Sequence, residues 1–470
     1  MRKGERLLIQ DYNRVNQIDP EFYSKFDVKR GLRNQDGTGV VAGITNIADV
    51  QGYALVDDVV TPAPGHLILR GYDIVDLVSP VFEEGRFSFE EICCLLLSGD
   101  LPTKSELAEF ITAIDAAREL PDNFVAGYIM NPATRDVSNC LARSILMLYA
   151  ADPDAEDRSP EHEISTAISL ISRLPRIAVL AYYAKQTVFH GGSMIIHRFI
   201  PGQLTAETVL SMLRQNREYT KDEALMLDIM LSLHAEHGGG NNSTFATRVI
   251  TSSDTDPYSA YAAAIGSLKG SRHGGANAKV LEMQEDIKAH VADWSNDDQV
   301  ASYLAKIVKK EAFDKNGLIY GMGHAVYTQS DPRAEICKSF AERLAKGTEH
   351  EAELRLLESI ERLSPQVFDA VKGSSKALCA NIDMYSGFVY SMLGVPTELI
   401  TPLFACARMA GWAAHRFEEI VSGKRIIRPA YKSTSPHRDY VALDDRNGEH
   451  GERGERKARR AKEREKKTKG

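Results

Sequence analysis

Four places in this 470-residue chain set histidine or aspartate among glycine, asparagine and serine, where a packed core would not put them. They are His234-Ala-Glu-His237-Gly-Gly-Gly-Asn241-Asn242, Gly270-Ser-Arg-His273-Gly-Gly-Ala-Asn277, Gly321-Met-Gly323-His324-Ala-Val-Tyr327 and Asn381-Ile-Asp383-Met-Tyr385-Ser386-Gly387. Glycines beside an imidazole let a ligand approach the backbone and leave the ring uncovered. An aspartate in apolar surroundings becomes more basic on burial. Any one of these histidines reads equally well as a turn residue, but three of them with one aspartate point to proton transfer. His66, His290 and His415 lack such a setting and read as structural.

The same residues test other chemistries. Gly321-x-Gly323 has Val326 where a dinucleotide fingerprint needs a third small residue, and no strand-helix-strand unit surrounds it. No GxxxxGK[ST] segment is present, which argues against a phosphate-cradling loop. His234 and His237 with Glu236 or Asp383 could ligate zinc, but HExxH and related spacings are missing; a metal-dependent hydrolase stays as an alternative, and the expectation is no metal.

Helices must position these groups. Ser88 with Glu91, Thr103 with Glu106 and Thr220 with Glu223 fit the capping box, each ahead of apolar residues at helical spacing. Gly99 with Pro102 and then Pro121 stop the first two helices, which predicts a helical hairpin. Further helices are expected at about 165–186, 221–236, 257–270, 298–312, 333–346, 349–372 and 402–421, and one is expected to start just after His273. Strand signals are confined to about 40–73, in VVAGITNI, YALVDD and HLILRG. The fold class is therefore mainly α with a small N-terminal β element. A charge-rich stretch at about 276–380 between two stretches rich in small apolar residues would suit a small domain inserted into a larger one.

Composition sets outer limits. With 43% hydrophobic residues the chain can bury one large core or two unequal ones. The six cysteines form no CxxC or other metal-ligand pair and read as reduced, buried thiols. There is no secretory h-region and no run of 18 uncharged apolar residues, so the expectation is a soluble cytoplasmic protein without a membrane partner. Net charge is −8, yet residues 451–470 carry ten basic and four acidic side chains. That tail has almost nothing apolar to bury and reads as a solvated appendage, with no nucleic-acid partner expected.

Taken together, HAEHGGGNNS, DPYSAYAAAIGSLKGSRHGGAN, YGMGHAVYTQSDPR and NIDMYSG occur in the order of the citrate synthase family, and GLRNQDGTGV with GHLILRGYDIVDL resembles its opening. The resemblance runs from about 30 to 440. It implies a citrate synthase-like fold, a large helical domain (1–275 and 385–443) holding a smaller one (276–384), with 444–470 as a basic tail. It implies His273, His324 and Asp383 as catalytic residues, Asp383 and His273 making the enol of acetyl-CoA and His324 polarising the ketone of oxaloacetate. His237, Arg333, Arg408 and Arg428 match the oxaloacetate site, Arg428 reaching across from the partner of a homodimer. Arg33, Leu318, Ile319, Tyr320, Gly321, Met322, Gly323 and Lys376 align with CoA contacts. Thr328 stands where some relatives carry an arginine for the CoA phosphate, a departure from the family pattern. No cofactor is implied, acetyl-CoA being a substrate. The expected function is condensation of acetyl-CoA with oxaloacetate and hydrolysis of the citryl thioester. The rivals are 2-methylcitrate synthesis from propionyl-CoA and, from another class, a non-catalytic CoA or dicarboxylate sensor.

Overall fold

A computed structural model describes residues 5, 9, 12–13, 15–34, 38–56, 59–373 and 378–446, giving only the backbone of 55, 56, 59, 60 and 445. Asp27–Ile427 forms one compact unit, and the segments Met1–Phe26 and Arg428–Gly470 form another. The terminal unit has a short helix, α1 (Glu21–Lys25), and Lys432 Nζ lies 5.5 Å from the centre of the Phe26 ring. The expected tail lies outside the described residues from 447 onward.

The larger unit opens on a three-stranded antiparallel sheet in the order β1 (Ala48–Val56), β2 (Val59–Leu69) and β3 (Tyr72–Asp73). VVAGITNI, expected as a strand, is not one: 40–45 is irregular and 46–47 a bend, with Val41 89% and Ile44 92% exposed. An apolar run makes a strand only where a partner strand and a core await it, and β1 finds both only from Ala48. Pro62 and Pro64 are tolerated in the central strand because β3 pairs only with Ile68 and Leu69, leaving the prolines' other side free of a ladder.

Helices follow: α2 (Ile74–Glu83), α3 (Phe89–Ser98), α4 (Lys104–Ala116), α5 (Val137–Ala150), α6 (Pro160–His190), α7 (Thr205–Leu213), α8 (Lys221–His234), α9 (Asn242–Thr251), α10 (Pro257–Leu268), α11 (Ala276–His290), α12 (Asp297–Val308), α13 (Pro332–Ala345), α14 (Glu351–Lys372), α15 (Asp383–Met392) and α16 (Thr397–Glu418). Thr103 and Thr220 make the expected capping boxes. Ser88 does not: its hydroxyl donates to Asp228 of α8 at 2.9 Å, and Asp228 also accepts the Ser88 and Phe89 backbone N–H groups. A buried carboxylate from another helix thus caps α3, satisfying donors that a helix start leaves open.

α6 and α16 form the centre. By length and composition alone α6 could cross a membrane, yet most of its apolar stretch is buried in this core. α16 is buried from Leu399 to Arg416 on nearly every face, charges included. Arg416 forks onto Glu163 of α6 at 2.6 and 2.7 Å, which pins the two helices in register.

Candidate active site

Three of the four chemistry-bearing side chains stand at helix ends and the fourth in a loop. His237 follows α8, His273 precedes α11 by three residues, His324 lies in the loop between α12 and α13, and Asp383 is the first residue of α15. The loop holding His324 is stitched to the segment holding Asp383: Gly323 N donates to Cys379 O at 2.7 Å, Asn381 N to Gly321 O at 2.9 Å, and Asn381 Nδ2 to Gly323 O at 2.9 Å. Gly321 has φ +81°, and a Cβ there would come within 2.9 Å of Met384 Cα, so this crossing requires glycine. On its other side the loop docks on the hairpin, with Thr328 Oγ1 donating to Gly52 O at 2.7 Å, Gln329 Nε2 to Pro62 O at 2.9 Å and Gly65 N to Ser330 Oγ at 3.2 Å. Thr328 is therefore buried and already bonded.

His324 has a fixed tautomer. Its Nδ1 accepts the backbone N–H groups of Val326 at 3.1 Å and Tyr327 at 3.0 Å, so the neutral ring carries its proton on Nε2. Its ring stacks on Tyr327 at 4.5 Å and meets His237 edge-on at 5.1 Å, and His237 is 5.6 Å from Tyr327. Arg333 passes 5.9 Å from the Tyr327 ring and donates Nε and Nη2 to the two oxygens of Asp331 at 3.0 and 2.7 Å.

A second cluster adjoins the first. Arg408 is fully buried in α16; its Nε donates to His234 O at 2.6 Å, while Nη1 and Nη2 have no partner among the described residues. Phe404, one turn earlier, lies 4.8 Å from that guanidinium, 4.2 Å from the His234 ring and 6.4 Å from the His273 ring. His273 Nε2 is 3.1 Å from Ser243 Oγ, whose other neighbours are Asn241 Oδ1 at 2.9 Å and the donor Trp412 Nε1 at 3.2 Å.

Burial and two guanidinium charges set the electrostatics. Burial, followed by Arg408, brings His273 down to about 4; burial, followed by Arg333, brings His324 down to about 4. His237 is held well below the usual imidazole range by burial and then by Arg333, with Arg408 contributing. Burial pushes Asp383 up to about 7 against the opposing charge of Arg333, and its buried Oδ1 has no partner among the described residues. Burial brings Arg408 down to about 10. The histidines are thus neutral donors near pH 7, the carboxylate is a poised base, and a buried cation has two NH2 groups open among the described residues.

His237, His273, His324, Asp383, Arg333 and Arg408 therefore share one neighbourhood, tied together by ring contacts and by the two arginine charges. Arg33 is exposed, and its charge reaches His324. Of the loop 318–323, Leu318 is 51% exposed, Ile319 is buried, and Tyr320 donates its hydroxyl proton to Asp314 at 2.7 Å. Lys376 lies outside the described residues, and Arg428 is an exposed residue of the terminal unit. Tyr327, Ser243, Phe404 and Asp331 acquire their importance only through contacts that no spacing encodes. His415 also belongs here, bonded to Glu236 at 3.0 Å beside the His237 turn. Among the described residues no three His, Cys, Asp or Glu side chains are placed to hold a metal ion.

Known proteins share this arrangement of sequence and fold. Residues 34–430 match the family model described as citrate synthase, C-terminal domain. The chain is 34% identical over 417 residues to the citrate synthase of Acidithiobacillus ferridurans, covering 87% of this chain and 97% of that one. It is 32% identical over 380 residues to a 2-methylcitrate synthase of Shewanella oneidensis, covering 81% and 90%. Among solved structures, a ternary complex of carboxymethyl coenzyme A and oxaloacetate with the citrate synthase of Thermoplasma acidophilum superposes with a TM-score of 0.71 at 25% identity, covering 89% of this chain and 99% of that one. With most of its length matched by the family model and by relatives above 30% identity, the chain belongs to the citrate synthase family, a family of acyltransferase enzymes.

Proposed function

We propose that this enzyme condenses acetyl-CoA with oxaloacetate and hydrolyses the resulting citryl thioester to citrate and CoA. The observation that carries the reading is Arg408, a wholly buried guanidinium whose two Nη groups have no partner among the described residues, beside His234, His237 and His273. A planar fork left open in a buried site suits a carboxylate, which it binds through two parallel hydrogen bonds. His237 and Arg333 line the same pocket, and Arg428 completes it from the second copy of a homodimer.

The thioester methyl is too weak an acid for a carboxylate alone, so the enol must be stabilised as it forms. Asp383 takes the methyl proton. Neutral His273 donates from Nδ1 to the thioester oxygen, which requires Ser243 to give its one hydroxyl proton to Nε2 rather than to Asn241. The enol carbon attacks the ketone carbon of oxaloacetate, whose oxygen accepts a hydrogen bond from His324 Nε2–H and then takes that proton as the alkoxide forms. Water then adds to the thioester carbon as the C–S bond breaks; of its two protons one restores His324 and one goes to the departing sulfur, so that CoA leaves as the thiol, and Asp383 returns the methyl proton to solvent. Arg33, Lys376 and the loop 318–323 hold CoA. The reaction needs no cofactor besides its substrates, and the enzyme acts in the cytoplasm.

The test is release of CoA thiol by purified protein with oxaloacetate in EDTA, acetyl-CoA against propionyl-CoA. Faster turnover of acetyl-CoA is expected. Because 2-methylcitrate synthases match at similar identity, propionyl-CoA is the specific rival; one methylene in an apolar pocket discriminates by only about 1–3 kcal/mol. A preference for propionyl-CoA would move the assignment there, and silence with both would favour a sensor.

A further inference from the structure

Glu236 lies between His234 and His237, is fully buried, and turns its bonds away from both. Its Oε1 accepts the Gly238 backbone N–H and, at 3.0 Å, the Nε2–H of His415. The tautomer of His415 is decided from its far side. Arg248 approaches Nδ1 with Nη2 at 2.7 Å and Nε at 3.1 Å; a guanidinium only donates, so Nδ1 accepts and the ring proton sits on Nε2. Arg248 is itself held by Glu419 at 3.0 Å and by Glu418. A relay therefore runs from ion pairs at the end of α16 to a carboxylate at the root of the His237 turn.

The other oxygen of Glu236 faces α16. Oε2 is buried without a partner among the described residues, and a Cβ on Gly411 would overlap it, so glycine is needed for the helix that carries Arg408 to lie against this carboxylate. The two charges act on each other, yet no hydrogen bond joins them. A buried polar group left unpaired keeps the cost of its lost hydration. An open carboxylate oxygen and two guanidinium NH2 groups left open among the described residues, in one buried cluster, are a cost that a ligand carboxylate would relieve on the Arg408 side.

We propose that Glu236 is a positioning residue of the dicarboxylate pocket: anchored by His415 and Arg248, it fixes the turn that carries His237 and serves as the countercharge of Arg408 while leaving both Nη groups open. This rests on the reading of oxaloacetate as substrate. The experiment compares full-length wild type, E236A and E236Q for kcat and for the separate KM values of oxaloacetate and acetyl-CoA. Glu236→Ala loses both hydrogen bonds and charge, and is expected to raise the oxaloacetate KM about tenfold, equivalent to about 1.4 kcal/mol, with the acetyl-CoA KM within about twofold of wild type. Glu236→Gln keeps the acceptor oxygen and loses only the charge, and is expected to raise the oxaloacetate KM about threefold with the same selectivity. Should Glu236→Ala fail to fold, Glu236→Gln alone decides. A purely structural role would lower the melting temperature and move both KM values together, or neither, and that result in an active enzyme overturns the proposal alone. A wild type that released no CoA with oxaloacetate would overturn the functional reading and this proposal with it.

Discussion

Burial reverses the usual order of titration in this site, lifting Asp383 to about 7 while His273 and His324 fall to about 4. If Asp383 is the base, kcat/KM rises with pH through about 7 and levels off above it; a limb near 4 and none near 7 would remove Asp383 from that role. Asp383→Asn is expected to lower kcat by about 10²–10⁴ while oxaloacetate still raises the melting temperature. The same residue makes a stability prediction. Between its ordinary 3.8 and about 7 the native carboxyl binds a proton that the unfolded chain has released, so ionising it costs stability as pH rises through that window. Asp383→Asn should therefore melt higher than wild type at pH 8, with the gap closing as pH falls toward 4; equal melting points at pH 8 would count against the raised value. Arg408→Lys offers a point charge where a fork is needed, and is expected to raise the oxaloacetate KM by about tenfold or more.

Helix starts and loop crossings hold these residues in place. Asp228 caps α3 from α8 with three donors on its carboxylate, and burial, then Glu90, pushes it up to about 8. Asp228→Ala leaves the buried N–H groups of Ser88 and Phe89 unsatisfied and should cost about 1–3 kcal/mol in urea unfolding, with Asp228→Asn costing less. A change within about 0.5 kcal/mol would show that the cap is dispensable. The hairpin has a comparable task. Through Gly52, Pro62 and Gly65 it bonds Thr328, Gln329 and Ser330, and so braces the loop in which His324 and Tyr327 stack.

At the scale of the whole molecule, an enol and a thioester both need shelter from water until condensation is complete. Residues 276–384 are proposed as the small domain that closes over oxaloacetate and creates the acetyl-CoA site. Oxaloacetate alone is then expected to slow hydrogen exchange in that span, whereas an unchanged exchange pattern would speak against closure. Arg428 is proposed to act in a neighbouring copy, so Arg428→Ala should raise the oxaloacetate KM and leave the dimer intact by sedimentation.

The sequence alone determined the helical class, the capping boxes at Thr103 and Thr220, the glycine-rich segments carrying His237, His273 and His324, and the apolar surroundings of Asp383. These are local properties: propensity, period and turn chemistry act over a few residues and leave a readable pattern. Ser88 shows where that stops, because its capping pattern was intact and a buried carboxylate 140 residues away took the hydroxyl instead. VVAGITNI had strand chemistry but no partner strand, the pairing starting only at Ala48. His415 had no setting of its own, yet it bonds Glu236 across 179 positions, and the open fork of Arg408 could be recognised only once its surroundings were packed. Only the tertiary structure decided these, because burial and long-range pairing set which polar groups are satisfied and which are left for a ligand.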